Sequence, residues 1–245
     1  MKDKIILSVV VPTFNSKKFI EKNIKKLSQK LKYIEKKHEI IIVNDGSTDE
    51  TVNILKNLEL KKMRLRLFNL SRNYGKGAAI RKGIEISKGE NIIFIDCDLP
   101  YFNSIKILYN NLKIKNYNLV ISTREKNLEK KFYKRKNFFL RKFYASLINL
   151  IVRRFVVSGY TDTQAGLKGF KRKIKKKILT YKTNGFLFDI EILRTAKKNN
   201  IDVKKIFVKD KPEDYSLNYV TNIKIYISVI YDLIYILLLV FFKRI

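Results

Sequence analysis

Ile92-Ile93-Phe94-Ile95-Asp96-Cys97-Asp98 joins an apolar run directly to two carboxylates. Four consecutive apolar residues indicate a strand that is buried on both faces, as in a parallel sheet. Ligands of open α/β sheets bind beyond the carboxyl ends of the strands, so we expect a binding site at Asp96 and Asp98. Two neighbouring carboxylates repel each other unless a cation lies beside them. A divalent cation that carries a phosphorylated ligand would meet this need.

The composition bounds the class of protein. A chain of 245 residues is long enough for one sizeable core. The single cysteine, Cys97, excludes an intramolecular disulfide and fits a reducing compartment, and we interpret it as a small spacer between the aspartates. The single histidine, His38, is interpreted as a solvated loop residue. This inventory argues against a zinc site and against a Ser-His-Asp triad.

The net charge of +31 favours a polyanionic partner, such as nucleic acid, an anionic membrane surface or a phosphorylated substrate. Lysine greatly outnumbers arginine, and isoleucine and asparagine are abundant, as a biased genome composition would also produce. The charge therefore limits the class of partner without identifying it.

Apolar periodicity predicts alternating strands and helices in the first half of the chain. Strands are predicted at residues 5–11, 39–43, 65–70 and 92–95, with helices at 16–31, 50–55 and 78–87 between them. Ser47 and Glu50 have the spacing of a capping box for the second helix. The β-α-β order predicts an α/β fold with a mostly parallel sheet, right-handed crossovers and helices on both faces. A helix at 103–112, strands at 119–122, 167–170 and 204–208, and a helix at 188–196 extend it.

Two further segments raise the question of a membrane. Basic residues alternate with aromatic ones over residues 130–157, which fits either a membrane-surface helix or a helix packed on the sheet. In the tail, the polar residues Thr221, Lys224, Ser228 and Asp232 mark one face of a helix, and the apolar run 233–242 is shorter than the roughly 20 residues of a span. A longer span would place Asp232 near mid-bilayer, at a cost of about 2.5–3.5 kcal/mol. We expect an amphipathic helix in the membrane interface, with a span as the alternative.

Four polar segments follow predicted strands, at residues 12–15, 44–47, 73–77 and 96–98. At one edge of one sheet they would form a single cleft. Asp45 is suited to accept hydrogen bonds from a base or a ribose. Gly75 and Gly77 would let the backbone approach a ligand, and Lys76 and Arg72 would offer charge to a diphosphate. The pattern is neither a P-loop nor a dinucleotide-binding fingerprint.

Seven motifs in order resemble the family 2 glycosyltransferases of the GT-A fold, and more narrowly the dolichyl- or polyprenyl-phosphate hexosyltransferases of the β-glucosyltransferase type. The motifs are V-V-V-P-T-F-N, I-I-V-N-D-G-S-T-D-E-T, R-N-Y-G-K-G-A-A-I-R-K-G, I-D-C-D-L, S-T-R, D-T-Q-A-G-L-K-G-F and G-F-L-F-D-I-E. The resemblance covers about residues 5–210. We therefore assign residues 1–215 to a GT-A domain and residues 216–245 to a membrane-associated C-terminal helix.

The resemblance implies an inverting, metal-dependent transfer of a hexose, with glucose favoured, from a nucleoside-diphosphate sugar to dolichyl or polyprenyl phosphate at the cytoplasmic membrane face. UDP-glucose is the favoured donor, because Pro100 stands where mannosyl-type relatives often carry a metal-binding glutamine. GDP-mannose or a non-lipid acceptor remains an alternative. A basic nucleic-acid-binding protein is the alternative from another class. It leaves the acidic loops unexplained, so no nucleic acid is expected as a partner.

The resemblance also implies roles for individual residues. Asp96 and Asp98 would bind Mg²⁺ or Mn²⁺, with Asp98 counted as catalytic. Arg124, Gln164 and Lys168 match positions near the acceptor site, where cations would receive the lipid phosphate, and Asp162 and Asp189 match carboxylates on that side. The positions matched to the donor nucleotide are Pro12, Thr13, Asn15, Asp45, Lys76 and Arg81.

Overall fold

The computed structural model describes residues 4–60, 63–124, 165–208 and 223–242, and its strands form one seven-stranded sheet. The strands are β1 (Leu7–Thr13), β2 (His38–Asn44), β3 (Leu65–Asn69), β4 (Asn91–Ile95), β5 (Leu119–Arg124), β6 (Leu167–Lys171) and β7 (Val203–Val208). The α-helices are α1 (Ile20–Ile34), α2 (Thr51–Leu60), α3 (Lys76–Ile86), α4 (Ile105–Lys113), α5 (Lys175–Ile178), α6 (Phe188–Lys198) and α7 (Ile223–Phe241). Short 3₁₀ turns at Phe102–Ser104 and Arg172–Ile174 precede α4 and α5.

The sheet has the strand order β3-β2-β1-β4-β6-β5-β7. Its first four strands pair in parallel, and β7 pairs in parallel with β5. Only β6 is reversed, and it pairs antiparallel with both β4 and β5. The predicted mostly parallel sheet is confirmed. The carboxyl ends of β1, β2 and β4 consequently lie at one edge, as the site prediction requires.

Helices cover both faces of the sheet. Successive side chains of a strand point to opposite sides, so each buried strand places apolar residues on both faces. In β1, Val9 and Val11 belong to the core cluster that includes α1, α2 and α4. Val10 belongs to the second cluster, with residues of α3, α6 and α7. Helices therefore pack on both faces, as predicted.

The predicted capping box at the start of α2 is wrong. The helix begins at Thr51, whose N–H donates to Oδ1 of Asp49 at 3.0 Å. Ser47 lies too far upstream to cap the helix, and its hydroxyl accepts the N–H of Asn15 at 2.9 Å. The serine is used to join two loops at the sheet edge.

The prediction of a solvated loop position for His38 is also wrong. His38 begins β2 and is only 2% exposed, with Nδ1 2.7 Å from the carbonyl oxygen of Glu35. Burial lowers the pKa of His38, although the hydrogen bond to Glu35 opposes this effect.

The tail forms a helix, and Asp232 is the one of its four polar residues whose side chain the structure describes. Asp232 is 6% exposed and lies against residues 185–187, while Leu233 and Ile236 belong to the core. The exposed apolar residues of α7 are Ile230, Tyr231, Ile234, Leu238 and Phe241, followed by Phe242. In the parts of the chain that the structure describes, no helix is both long enough and apolar enough to cross a membrane. The basic segment 130–157 lies outside the described residues, and the division at residue 215 stays a prediction.

The buried histidine predicts a pH dependence of stability. Because the pKa of His38 is lowered in the folded state, the unfolded chain binds a proton more readily once the pH falls below about 6.5. The free energy of unfolding should therefore fall between pH 7 and pH 5 by more in the wild type than in His38→Gln, which has no imidazole to titrate. Chemical denaturation at several pH values measures this difference. Parallel pH profiles for the two proteins would contradict the prediction.

Candidate active site

The loops after β1 and β2 form one hydrogen-bonded unit at the sheet edge. The backbone N–H of Asp45 donates to the carbonyl oxygen of Thr13 at 2.8 Å. Oδ1 of Asn15 accepts the N–H of Thr48 at 2.8 Å, and Asn15 has a positive φ of 46°. Asn15 is thus oriented by the second loop. Pro12 and Thr13 lie buried at the end of β1, beside this unit. The four residues from Pro12 to Asp45 predicted to contact the donor are brought together.

Asp45 connects this unit to the loop before α3. Its Oδ1 accepts the N–H of Tyr74 at 2.8 Å, and its Oδ2 accepts the N–H of Gly75 at 2.9 Å. Burial raises the pKa of Asp45, and these two hydrogen bonds oppose the rise. A carboxylate has about four lone-pair positions, so these bonds leave acceptor capacity for a nucleoside. Asp45 therefore has a positioning role beside its predicted contact with the base.

Gly75 and Gly77 allow a close approach by protein backbone, and not by a ligand as expected. A Cβ at Gly75, which has a φ of 106°, would lie 2.5 Å from the carbonyl oxygen of Asn184. The N–H of Gly77 donates to the carbonyl oxygen of Gly185 at 3.1 Å, and the N–H of Ala78 donates to that of Asn184 at 3.1 Å. The first amides of α3 are therefore bonded to residues 184–185.

Arg81 holds the same segment from its other side. Its Nη1 donates to Oδ1 of Asn184 at 3.0 Å, and its Nη2 donates to the carbonyl oxygen of Thr183 at 3.1 Å. The guanidinium also stacks on the ring of Tyr181, 4.6 Å from its centroid. In this arrangement Arg81 fixes residues 181–184, and its predicted contact with the donor nucleotide stays a prediction.

Two ion pairs lie at the centre of the site. Nζ of Lys76 is 2.6 Å from Oδ1 of Asp96, and Nζ of Lys168 is 3.0 Å from Oδ1 of Asp189. Burial acts to lower the pKa of Lys76, but the carboxylates of Asp96, Asp189 and Asp98 raise it above its ordinary value. Burial raises the pKa of Asp189, while the two lysines act to lower it. The two pairs therefore interact with each other.

Lys168 is completely buried, and its predicted contact with the lipid phosphate stays a prediction. Its side chain is 0% exposed, and its ammonium also donates to the carbonyl oxygen of Ala165 at 2.7 Å. A cation in this position stabilises the buried carboxylate of Asp189. The motifs alone do not show this burial, because the exposure of a strand residue depends on the layer that packs over it.

Asp96 occupies space that only glycine leaves free. Its N–H donates to the carbonyl oxygen of Gly166 at 3.2 Å, and a Cβ at Gly166 would collide with Oδ2 of Asp96. The chain then turns tightly, with Leu99 at a φ of 52° and its N–H bonded to the carbonyl oxygen of Asp96 at 2.9 Å. The turn contains Asp98, which lies close enough to raise the pKa of Lys76.

The donor set fits a hard divalent cation. Carboxylate oxygens are ligands that Mg²⁺ and Mn²⁺ prefer, and Oδ1 of Asp96 is buried with no hydrogen bond besides its ion pair. Burial raises the pKa of Cys97 to about 12, so this residue stays a thiol. Within the described ranges, no cluster of three or more His, Cys, Asp or Glu side chains could hold a metal by itself. A diphosphate and water would have to complete the coordination of an ion on Asp96 and Asp98.

The remaining predicted residues are only partly placed. Arg124 ends β5 and is half-buried, whereas Asp162 and Gln164 lie outside the described residues. The sequence reasoning missed Glu191, which is buried in α6 and accepts the N–H of Thr183 at 2.7 Å and that of Lys182 at 3.0 Å. The feature of the sequence that could have identified Glu191 is its position as the last residue of the motif G-F-L-F-D-I-E.

A comparison with known families shows to which family the chain belongs. The profile described as "Glycosyl transferase family 2" matches residues 8–179, which include the loops after β1, β2 and β4. The chain belongs to glycosyl transferase family 2. Among its relatives, the dolichyl-phosphate β-glucosyltransferase of Dictyostelium discoideum is 30% identical over 218 residues, covering 84% of this chain and 66% of that protein. The human protein of the same name is 30% identical over 218 residues, covering 82% and 66%. The chain spans just under two thirds of the length of these relatives.

Solved structures of similar fold confirm the predicted GT-A fold. Glucosyl-3-phosphoglycerate synthase from Mycobacterium tuberculosis, in complex with Mn²⁺ and UDP-glucose, has a TM-score of 0.57 and 17% identity, covering 93% of this chain and 79% of that chain. A mannosyltransferase from Pyrobaculum calidifontis, in complex with GDP-mannose and Mn²⁺, has a TM-score of 0.59 and 18% identity, covering 87% and 59%. At such identities the likeness concerns the fold alone.

The tight contact at Gly166 predicts a selective loss of metal binding. In Gly166→Ala the new methyl group must displace the carboxylate of Asp96. We expect the affinity for Mn²⁺, titrated in the presence of UDP, to fall by about 10–100-fold, as when the support of a metal ligand is removed. Lys171→Ala, at the opposite end of β6, is the control and should bind like the wild type. Equal affinity of Gly166→Ala and the wild type would contradict the assigned position of the metal.

Proposed function

We propose that the protein is an inverting, metal-dependent hexosyltransferase that transfers glucose from UDP-glucose to dolichyl or polyprenyl phosphate. The observation that carries this proposal is the position of Asp96 and Asp98 at the carboxyl end of β4, with Lys76 2.6 Å from Asp96. The family and its relatives named dolichyl-phosphate β-glucosyltransferase support the choice of sugar and acceptor.

The chain's own residues would bind and orient the donor. Asp96 and Asp98 would hold the cation, and the loops joined through Asp45 would hold the nucleoside. A bound Mg²⁺ or Mn²⁺ supplies charge that stabilises the departing diphosphate. Lys76 lies 2.6 Å from Asp96, so it can offer a second positive charge to the diphosphate.

The acceptor needs little help from a general base. A phosphate monoester is already anionic at neutral pH, and its oxygen would attack the anomeric carbon as the bond to the diphosphate breaks. In-line displacement converts an α-linked donor into a β-linked product. Arg124, at the end of β5, is the described residue proposed to receive the lipid phosphate, with Asp162 and Gln164 predicted beside it. Asp189 would act on this side through its pair with Lys168, at 3.0 Å.

The exposed face of α7 supports action at a membrane surface. Ile230, Ile234 and Leu238 recur at four-residue steps and are exposed, as in helices that lie in the bilayer interface. The net charge of +31 is complementary to an anionic lipid surface. A polyprenyl chain can be reached only at a bilayer, so the proposed acceptor and this face require the same location. That this is the cytoplasmic face stays a prediction.

Direct assay tests the proposed reaction. The protein is incubated with UDP-glucose or GDP-mannose, Mg²⁺ or Mn²⁺, and a polyprenyl phosphate, and the lipid product is identified. We expect a β-linked glucosyl lipid that forms only with metal. Asp98→Ala should lower the rate by about a thousandfold, since the metal's stabilisation is worth several kcal/mol.

Cys97→Ala is the matched control, because the adjacent thiol has no assigned role, and it should retain activity. Near-normal activity of Asp98→Ala would overturn the metal assignment. Transfer from GDP-mannose alone would overturn the choice of donor.

Membrane binding is tested on the outer face of α7. Ile234 is 53% exposed and Leu238 is 50% exposed, so replacing both with serine should leave the core intact. We expect binding to anionic liposomes to weaken by at least about tenfold, because each apolar side chain contributes about 1.5–3 kcal/mol when fully buried. Ile114→Ser, at a site that is 73% exposed beyond α4, is the control. Unchanged sedimentation of the double variant with liposomes would contradict the proposed surface.

A further inference from the structure

Asp232 is the only charged residue between positions 229 and 242, and it faces the protein. Its Oδ2 accepts the N–H of Leu187 at 3.4 Å, and its carboxylate also accepts the N–H of Phe186. A Cβ at Gly185 would collide with Oδ2, so only glycine allows this approach. The single acid of α7 is therefore bound to residues 185–187.

Asp232 supplies a hydrogen-bond acceptor at the start of α6, where no side chain of the preceding residue caps the helix. Leu187 is the residue before α6, and its side chain makes no capping hydrogen bond. The first N–H groups of a helix have no partners within the helix, and a carboxylate is favoured there by the helix dipole. Burial raises the pKa of Asp232 to about 6, and the hydrogen bonds from Leu187 and Phe186 act against this rise.

The same segment supports both ion pairs of the site. The carbonyl oxygen of Gly185 accepts the N–H of Gly77 in the first turn of α3, next to Lys76 and its partner Asp96. On its other side, the segment leads into the first turn of α6, which contains Asp189. Residues 185–187 thus lie between Asp232 and the two helix starts that carry charges of the site.

We propose that Asp232 is a positioning residue. It holds residues 185–187 against the start of α3 and the start of α6, and through them it keeps the Lys76–Asp96 and Lys168–Asp189 pairs in place. The inner face of α7 then orders the donor site, while its outer face contacts the bilayer. The second half of this statement rests on the proposed function, whereas the first rests on the contacts of Asp232 alone.

Hydrogen exchange of the 245-residue chain tests the positioning role without any substrate. In Asp232→Ala, we expect the N–H groups of Gly77, Ala78 and Leu187 to exchange about tenfold faster, the scale expected when a hydrogen bond to a charged group is lost. Asp232→Asn keeps the shape and one acceptor oxygen, so it should show a smaller increase, of about threefold. The outer-face variant Ile234→Ser/Leu238→Ser is the matched control and should exchange like the wild type.

Binding of UDP with Mn²⁺, measured without lipid, is the second readout. It should weaken by about tenfold in Asp232→Ala and by less in Asp232→Asn, and it should not change in the outer-face control, which loses liposome binding. If Asp232→Ala does not fold, the exchange rates and the UDP affinity of Asp232→Asn are compared with those of the wild type, and this comparison tests the positioning role.

Wild-type exchange in the asparagine variant and in any folded alanine variant would overturn the proposal. So would a uniform acceleration across β1 to β4, which indicates a general loss of stability. Selective acceleration at the two helix starts, in a protein that transfers no sugar to lipid, would uphold the positioning role and refute the proposed function.

Discussion

The ion pair between Lys76 and Asp96, at 2.6 Å, joins the start of α3 to the end of β4, and the surrounding structure keeps these two charges together. A partly buried charge is costly without a counter-charge, so the loops that set its position are themselves tightly held. Asp45 fixes the backbone before Lys76 through two hydrogen bonds, and Gly166 leaves the space in which the carboxylate of Asp96 lies. The site therefore depends on backbone geometry as much as on its charged side chains.

The charges of the site are balanced locally, although the chain as a whole is strongly basic. Lys76 and Lys168 each face a carboxylate within 3.0 Å, and a divalent cation on Asp96 and Asp98 would add charge where the sugar nucleotide adds phosphates. The excess of positive charge consequently lies outside the two central pairs. An acidic strand end and a net charge of +31 are therefore compatible, because they belong to different parts of the molecule.

Apolar periodicity was sufficient to predict the sheet and the helices on its two faces, since burial of apolar surface determines both. It could not identify partners of polar residues from distant segments. Ser47 has capping spacing but bonds Asn15, and Lys168 was expected at the acceptor but pairs with Asp189. In a single sequence, a buried lysine with a carboxylate partner looks the same as a solvated one. The motif resemblance located the cleft, whereas the order of contacts within it required the three-dimensional structure.

The tail shows why this limit matters for function. The predicted polar face grouped Asp232 with Thr221, Lys224 and Ser228, yet its carboxylate is buried and accepts a hydrogen bond from the backbone before α6. Once the acid faces inward, the apolar residues of α7 divide between the core and the solvent. Helix α7 is apolar on its outer side, and on its inner side it contacts residues 185–187 beside the candidate active site. These two properties fit one arrangement. For the proposed transfer from a soluble donor to a lipid phosphate, the donor site must lie at a defined height above the bilayer, and a helix that contacts both can set that height.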